Sequence, residues 1–202
     1  MLTVLKKEAG DWREARREGA RASVLTAAWA LVREDGLAAL SLRELARRAG
    51  ITTPTVYAYF ESKNAIFDAM FAEAAQAFVD LKAGLPVTDD PGRDLLTEAE
   101  AFVRFCVDDV PRYQLLFQRS VPGFTPSPES YEFAVSALEV TRELLARNGV
   151  HDQRHLDIWT AITTGLVDQQ VSNEPGGDRW TGLVEDVTQM FLARYATGKT
   201  ST

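Results

Sequence analysis

Along almost the whole of this 202-residue chain the apolar residues recur at a helical period, and no stretch sustains the alternation of a half-buried strand. Val24, Leu25, Ala28, Leu31 and Val32 form one apolar stripe. Leu183, Val184, Val187, Met190, Phe191 and Tyr195 form another near the end. Glycine and proline cut the pattern into pieces: Gly36 supplies a left-handed stop, Gly50 ends a short helix, and AGLPVTDDPG at 83–92 is the clearest linker. Helices are predicted near 16–35, 41–49, 54–60, 62–82, 93–109, 111–119, 128–147, 152–172 and 178–196. The expected fold class is all-α, a compact N-terminal three-helix domain followed by a larger helical bundle, about nine helices in all.

Apolar residues make up 46% of the chain, enough for a real core. The single cysteine, Cys106, excludes an intramolecular disulfide framework and suits a reducing compartment. No apolar run is long enough for a signal peptide or a membrane span, so the expected location is cytoplasmic, with no membrane partner. The net charge of −7 is unevenly placed: residues 1–65 carry +3 and residues 66–202 carry −10. A cationic head on an acidic body is the asymmetry of a chain that meets phosphates at one end.

Residues 41–60, SLRELARRAG-ITTPTVYAYF, hold two short capped helices around a glycine turn, the grammar of a helix-turn-helix. Ser41 and Glu44 stand at capping-box spacing, with Ser41 expected to cap and Glu44 to bond back. Thr53 is expected to cap the second helix, with Pro54 at its first position. Val56 and Phe60 face inward. Pro54, Ala58 and the flanking Thr55 and Tyr57 face outward, with no acidic side chain to repel a phosphate-walled groove. Arg43 and Arg47 share a face at i, i+4 and are placed to grip backbone phosphates, and Arg13, Arg16, Arg17 and Arg21 could reach an adjacent minor groove. Lys63 opposes the dipole of its own helix unless a phosphate sits at that N-terminus. That second helix offers no Arg, Lys, Asn or Gln, so discrimination is expected to lean on DNA shape, bridging water and the arginines.

The pattern Val24-Leu25, Ala27-Ala28, Gly36-Leu37, Leu42-Arg43-Glu44-Leu45-Ala46, Ala49-Gly50-Ile51, Thr55-Val56-Tyr57, Tyr59-Phe60 and Ser62-Lys63 runs through residues about 21–70. Over that span the chain resembles the DNA-binding domain of the tetracycline-repressor (TetR) family. The resemblance implies a non-enzymatic regulator, a repressor that binds a pseudo-palindromic double-stranded DNA operator as a homodimer and is released by a small, largely apolar effector. Thr52, Thr53, Thr55, Tyr57 and Tyr59 match positions where the family touches DNA. The domains are then a flexible arm at 1–14, a helix-turn-helix domain at 15–65, and a ligand-binding and dimerisation domain at 66–202.

Most aromatic residues lie in the second domain. They suit a bundle core and equally the lining of an apolar pocket. The family's pocket lies beside the matching central helices, which points to Phe102, Phe105, Tyr113 and Phe117, with Trp159 added; Arg104, Arg112 and Gln118 are the polar candidates. The family also pairs its last two long helices across the dimer as a four-helix bundle. Ile162 and Leu166, with Val187, Met190 and Phe191, are the residues expected there.

Two other functions are open to such a chain: a protein-binding adaptor that has lost DNA binding, and a metal-dependent enzyme. Arg43, Arg47, Arg48 and Lys63 argue against the first. The second rests on His151 and His155 at i, i+4, but Asp152 stands where HExxH has glutamate, and it also suits an ordinary helix cap. Neither a metal nor a cofactor is expected.

Overall fold

The structure, a computed structural model, describes the backbone of residues 2–196 and the side chains of residues 15–196. Among the described residues there are nine α-helices and no strand. They are α1 (Leu2–Asp35), α2 (Leu42–Arg48), α3 (Thr53–Tyr59), α4 (Lys63–Ala83) and α5 (Pro91–Val107), then α6 (Val110–Phe117), α7 (Pro128–Arg147), α8 (Gln153–Asn173) and α9 (Val184–Tyr195). Short 3-10 turns stand at Leu37–Ala39 and Thr181–Leu183. The span expected to be an arm, 1–14, is helical from Leu2 on. It contains no proline and is rich in Ala, Leu, Lys, Arg and Glu, which favour helix. The side chain of Arg13 lies outside the described residues.

The helix starts follow from capping chemistry. Asp90 accepts from the amides of Gly92 and Arg93, so α5 begins at Pro91, two residues earlier than its apolar pattern suggests. Asp109, Ser127 and Asp152 cap α6, α7 and α8 in the same way. The last helix starts later than predicted. Gln170 Oε1 accepts from the amides of Trp180 (2.9 Å) and Thr181 (3.3 Å), tying that segment to α8 and holding it out of a continuous helix.

The chain forms two compact units. The first comprises residues 1–71 with 119–126, and the second comprises 72–118 with 127–202. The boundary therefore falls inside α4, after Phe71, and the buried Ile66, Phe67, Met70 and Phe71 belong to the first unit. Residues 119–126 join that unit, where Asn64 Nδ2 donates to the Gly123 carbonyl (3.2 Å) and Phe124 lies 5.7 Å from Phe67. In the second unit α5 packs against α7, α8 and α9 and buries Leu95, Ala99, Val103 and Cys106. Among the described residues no helix is long and apolar enough to cross a membrane.

Candidate nucleic-acid interface and ligand cavity

The turn between α2 and α3 is built by backbone. Gly50 has φ 67°, Ile51 N–H donates to the Ala46 carbonyl (3.0 Å), and Gly50 N–H donates to the Arg47 carbonyl (3.3 Å). These two bonds close α2 as a Schellman motif, which needs a left-handed residue and so favours glycine. Leu45, Ala46, Val56 and Phe60 are buried beneath the turn, as their inward spacing requires.

Two capping details differ from expectation. Ser41 Oγ accepts from Glu44 N–H (3.3 Å), but the Glu44 carboxylate does not return to Ser41. It accepts from Arg47 (2.9 and 2.5 Å) and Arg48 (3.1 Å), because charge-assisted bonds from guanidinium groups outcompete a neutral amide. Those bonds, Arg47's first and then Arg48's, lower the Glu44 carboxyl from 4.5 to about 2. Arg48 also reaches Glu34 (2.5 Å) and Asp35 (3.2 Å), fastening α2 to the end of α1. The cap of α3 is Thr52 rather than Thr53, since its Oγ1 accepts from Thr55 N–H (3.3 Å) and lies 2.8 Å from Thr55 Oγ1. Thr53 and Pro54 then occupy the first turn.

The outward face of α3 presents Thr52, Pro54 and Tyr57, which is 52% exposed, with Thr53, Thr55 and Tyr59 half-buried beside them. Arg43 is exposed on α2, whereas its expected companion Arg47 is held by Glu44. Arg21 on α1 is exposed and lies over the Phe60 ring (4.8 Å), and Lys63 at the start of α4 lies 5.4 Å from the Phe67 ring. All these DNA candidates belong to the first unit, and no acidic residue lies within α3.

The second unit holds a partly open cavity of about 240 Å³. Of the residues expected to bind a ligand, Phe102, Phe117 and Trp159 line it. Phe78, which sequence reasoning missed, joins Phe102 and Phe117 with ring centroids 5.6–5.8 Å apart, two of the three contacts edge-on. Also missed were Lys82, Glu98 and Thr141, which form one buried polar cluster against the cavity. A signal was present: Lys82 falls four residues after Phe78, and Glu98 four before Phe102, so each charge interrupts an apolar stripe.

Phe105 and Tyr113 do not line the cavity. Phe105 is buried between the Arg112 guanidinium (3.6 Å) and Phe78 (4.9 Å), and Arg112 also donates to the Phe105 carbonyl. Tyr113 is fully buried and donates to Asp168 Oδ1 (2.5 Å), to which Gln118 also donates (2.6 Å). Burial, and then the bond to Asp168, push the Tyr113 phenol well above the ordinary tyrosine value. Arg112 and Gln118 are spent on these contacts, and Arg104 is exposed. Their sequence spacing suited a pocket, but the turn from α5 to α6 aims them at α5 and α8.

The expected intersubunit residues divide. Leu166 and Phe191 are buried in the chain's own core, Phe191 4.9 Å from Trp159, and so offer a partner little surface. Ile162 and Val187 are half-buried, and Met190 is 71% exposed. Asp152 caps α8 by accepting from Arg154 N–H (2.9 Å), and the His155 ring stacks 4.3 Å from Tyr195. Cys106 is buried, which pushes its thiol far up and makes it a poor nucleophile.

Residues 24–70 match the model of the family described as bacterial regulatory proteins, tetR family. The chain is 28% identical over 208 residues to the HTH-type transcriptional regulator Rv1816 of Mycobacterium tuberculosis, covering 92% of this chain and 86% of that one. It is 30% identical over 117 residues to the HTH-type transcriptional activator FasR of Mycolicibacterium smegmatis, covering 56% and 53%. Its fold matches the transcriptional regulator FadR of Bacillus subtilis, solved in complex with stearoyl-CoA. That match has a TM-score of 0.68 and 17% identity over 85% of this chain and 97% of that one.

Proposed function

This chain belongs to the tetR family of bacterial DNA-binding transcriptional regulators, and on that premise we propose that it is a ligand-released repressor. It binds a pseudo-palindromic operator as a homodimer. The observation that carries the DNA-binding surface is the outward face of α3, where Thr52, Pro54 and Tyr57 stand exposed on a helix with no acidic residue, braced from within by Val56 and Phe60. Tyr57 and Lys63 contact backbone phosphates, Arg43 and Arg21 add to the electrostatic grip, and Thr53, Thr55 and Tyr59 complete the surface. A twofold dimer presents two such faces to half-sites about one helical turn apart. Ile162, Val187 and Met190 supply its outward apolar residues.

The cavity lined by Phe78, Phe102, Phe117 and Trp159 supports an effector site in the second unit. An effector lowers DNA affinity by preferring a state of the dimer that DNA does not, and by no more than that preference.

Fluorescence anisotropy of the purified protein on DNA flanking its own gene, at several salt concentrations, tests this. Tight, salt-dependent binding well above that to random DNA, weakened by Tyr57→Phe and Lys63→Ala, is the expected result. Binding no better than random DNA there and across a genome-wide fragment selection would leave the adaptor. A reporter driven from the bound site separates the two directions of control. Higher transcription with the protein present would replace repression with activation, the role for which the FasR relative is named.

A further inference from the structure

The cavity's charged lining consists of Lys82 on α4 and Glu98 on α5, both almost fully buried. Lys82 Nζ reaches Glu98 Oε1 (2.5 Å), Thr141 Oγ1 (2.6 Å) and the Ala137 carbonyl (2.9 Å). An ammonium has three N–H donors, so none remains for a ligand. Glu98 Oε1 also accepts from the Thr141 hydroxyl (3.0 Å), while its Oε2 draws no hydrogen bond from the described residues. The nearby Thr160 and Thr163 hydroxyls donate to carbonyls of their own helix, which leaves them lone pairs rather than protons. The site is thus neutral as a pair and apolar over most of its wall, with no free cationic donor: its remaining polar groups are the free Glu98 Oε2 and neutral hydroxyls such as those of Tyr131 and Thr164.

Taking the cavity as the effector site proposed above, we infer that it takes an uncharged, largely apolar molecule ending in a hydrogen-bond donor, such as a hydroxyl or amide N–H, and rejects carboxylates. The donor bonds to Glu98 Oε2. A carboxylate would be stripped of water beside a lysine that has no proton to offer and a glutamate of its own sign.

Calorimetric titration of the purified protein with 1-octanol, octanoate and octylammonium tests this at constant chain length. Octanol is expected to bind tightest, with octanoate about tenfold weaker or worse. Glu98→Gln leaves Lys82 without its counter-charge, so octanoate should gain on octanol until the preference disappears or inverts. If that variant fails to fold, the paired replacement Lys82→Met with Glu98→Leu removes both charges together, and there octanol should bind about tenfold more weakly than to the parent. Octanoate or octylammonium binding the parent as tightly as octanol would overturn the inference, as would the absence of binding by all three. The same probes are added to the DNA-anisotropy assay. Octanol bound without change in DNA affinity removes the effector site but keeps the ligand class. Octanoate that binds as tightly and releases DNA does the reverse.

Discussion

Lys82 and Glu98 form an ion pair of 2.5 Å whose side chains are each 4% exposed, between helices separated by a proline- and glycine-containing linker. A buried pair of this kind is costly to break, because the survivor keeps its charge and loses its partner. Lys82→Met alone should therefore cost about 3–5 kcal/mol. Lys82→Met with Glu98→Leu should cost far less. Urea denaturation of the two variants checks this, and equal losses would show that the pair is not acting as a unit.

Glu44 gives the fold a defined acid response. Its carboxyl is held at about 2, below the ordinary 4.5, first by the hydrogen bond from Arg47 and then by that from Arg48. A carboxylate depressed in the folded state stabilises it above the unfolded value and loses that contribution as pH falls towards the folded one. Between pH 4.5 and 2 the parent should thus lose stability more steeply than Glu44→Gln, which has no carboxylate to protonate at this position. Thermal melts across that interval measure the difference, and parallel curves would exclude it.

Thr52, not Thr53, is the cap of α3. Thr52→Ala should lower stability by about 1 kcal/mol, whereas Thr53→Ala should change it by a few tenths. Circular-dichroism melts of the two variants distinguish them. The reverse order would return the cap to Thr53.

Tyr57 is 52% exposed and tests the surface without disturbing the fold. Tyr57→Phe should leave the melting temperature unchanged and weaken DNA binding by about 1 kcal/mol, roughly fivefold. Unchanged affinity would remove its hydroxyl from the interface.

Tyr113 ties α6 to α8 through Asp168 at 2.5 Å. Tyr113→Phe removes a buried donor to a carboxylate and should cost about 1.5–3 kcal/mol. A melting temperature equal to the parent's would mean that solvent or Gln118 replaces the bond without loss.

The sequence by itself determined what is local. Helical periodicity, the Gly50 turn and the cap at Asp152 act over two to five residues, so their partners lie within the same short stretch. The all-α class and the α2–α3 motif were legible for that reason. Competition between local partners was not. Glu44 turned to Arg47 and Arg48, and Thr52 took the cap from Thr53, because geometry chose among several allowed bonds. The cavity was decided by the tertiary structure. Lys82 and Thr141 are 59 residues apart and Glu98 and Thr141 are 43 apart, and only helix packing brings them together. The same packing sent Tyr113 and Phe105 away from the cavity and took Leu166 and Phe191 into the core. An apolar stripe shows that a face will be buried, but which neighbour buries it depends on how the helices pack.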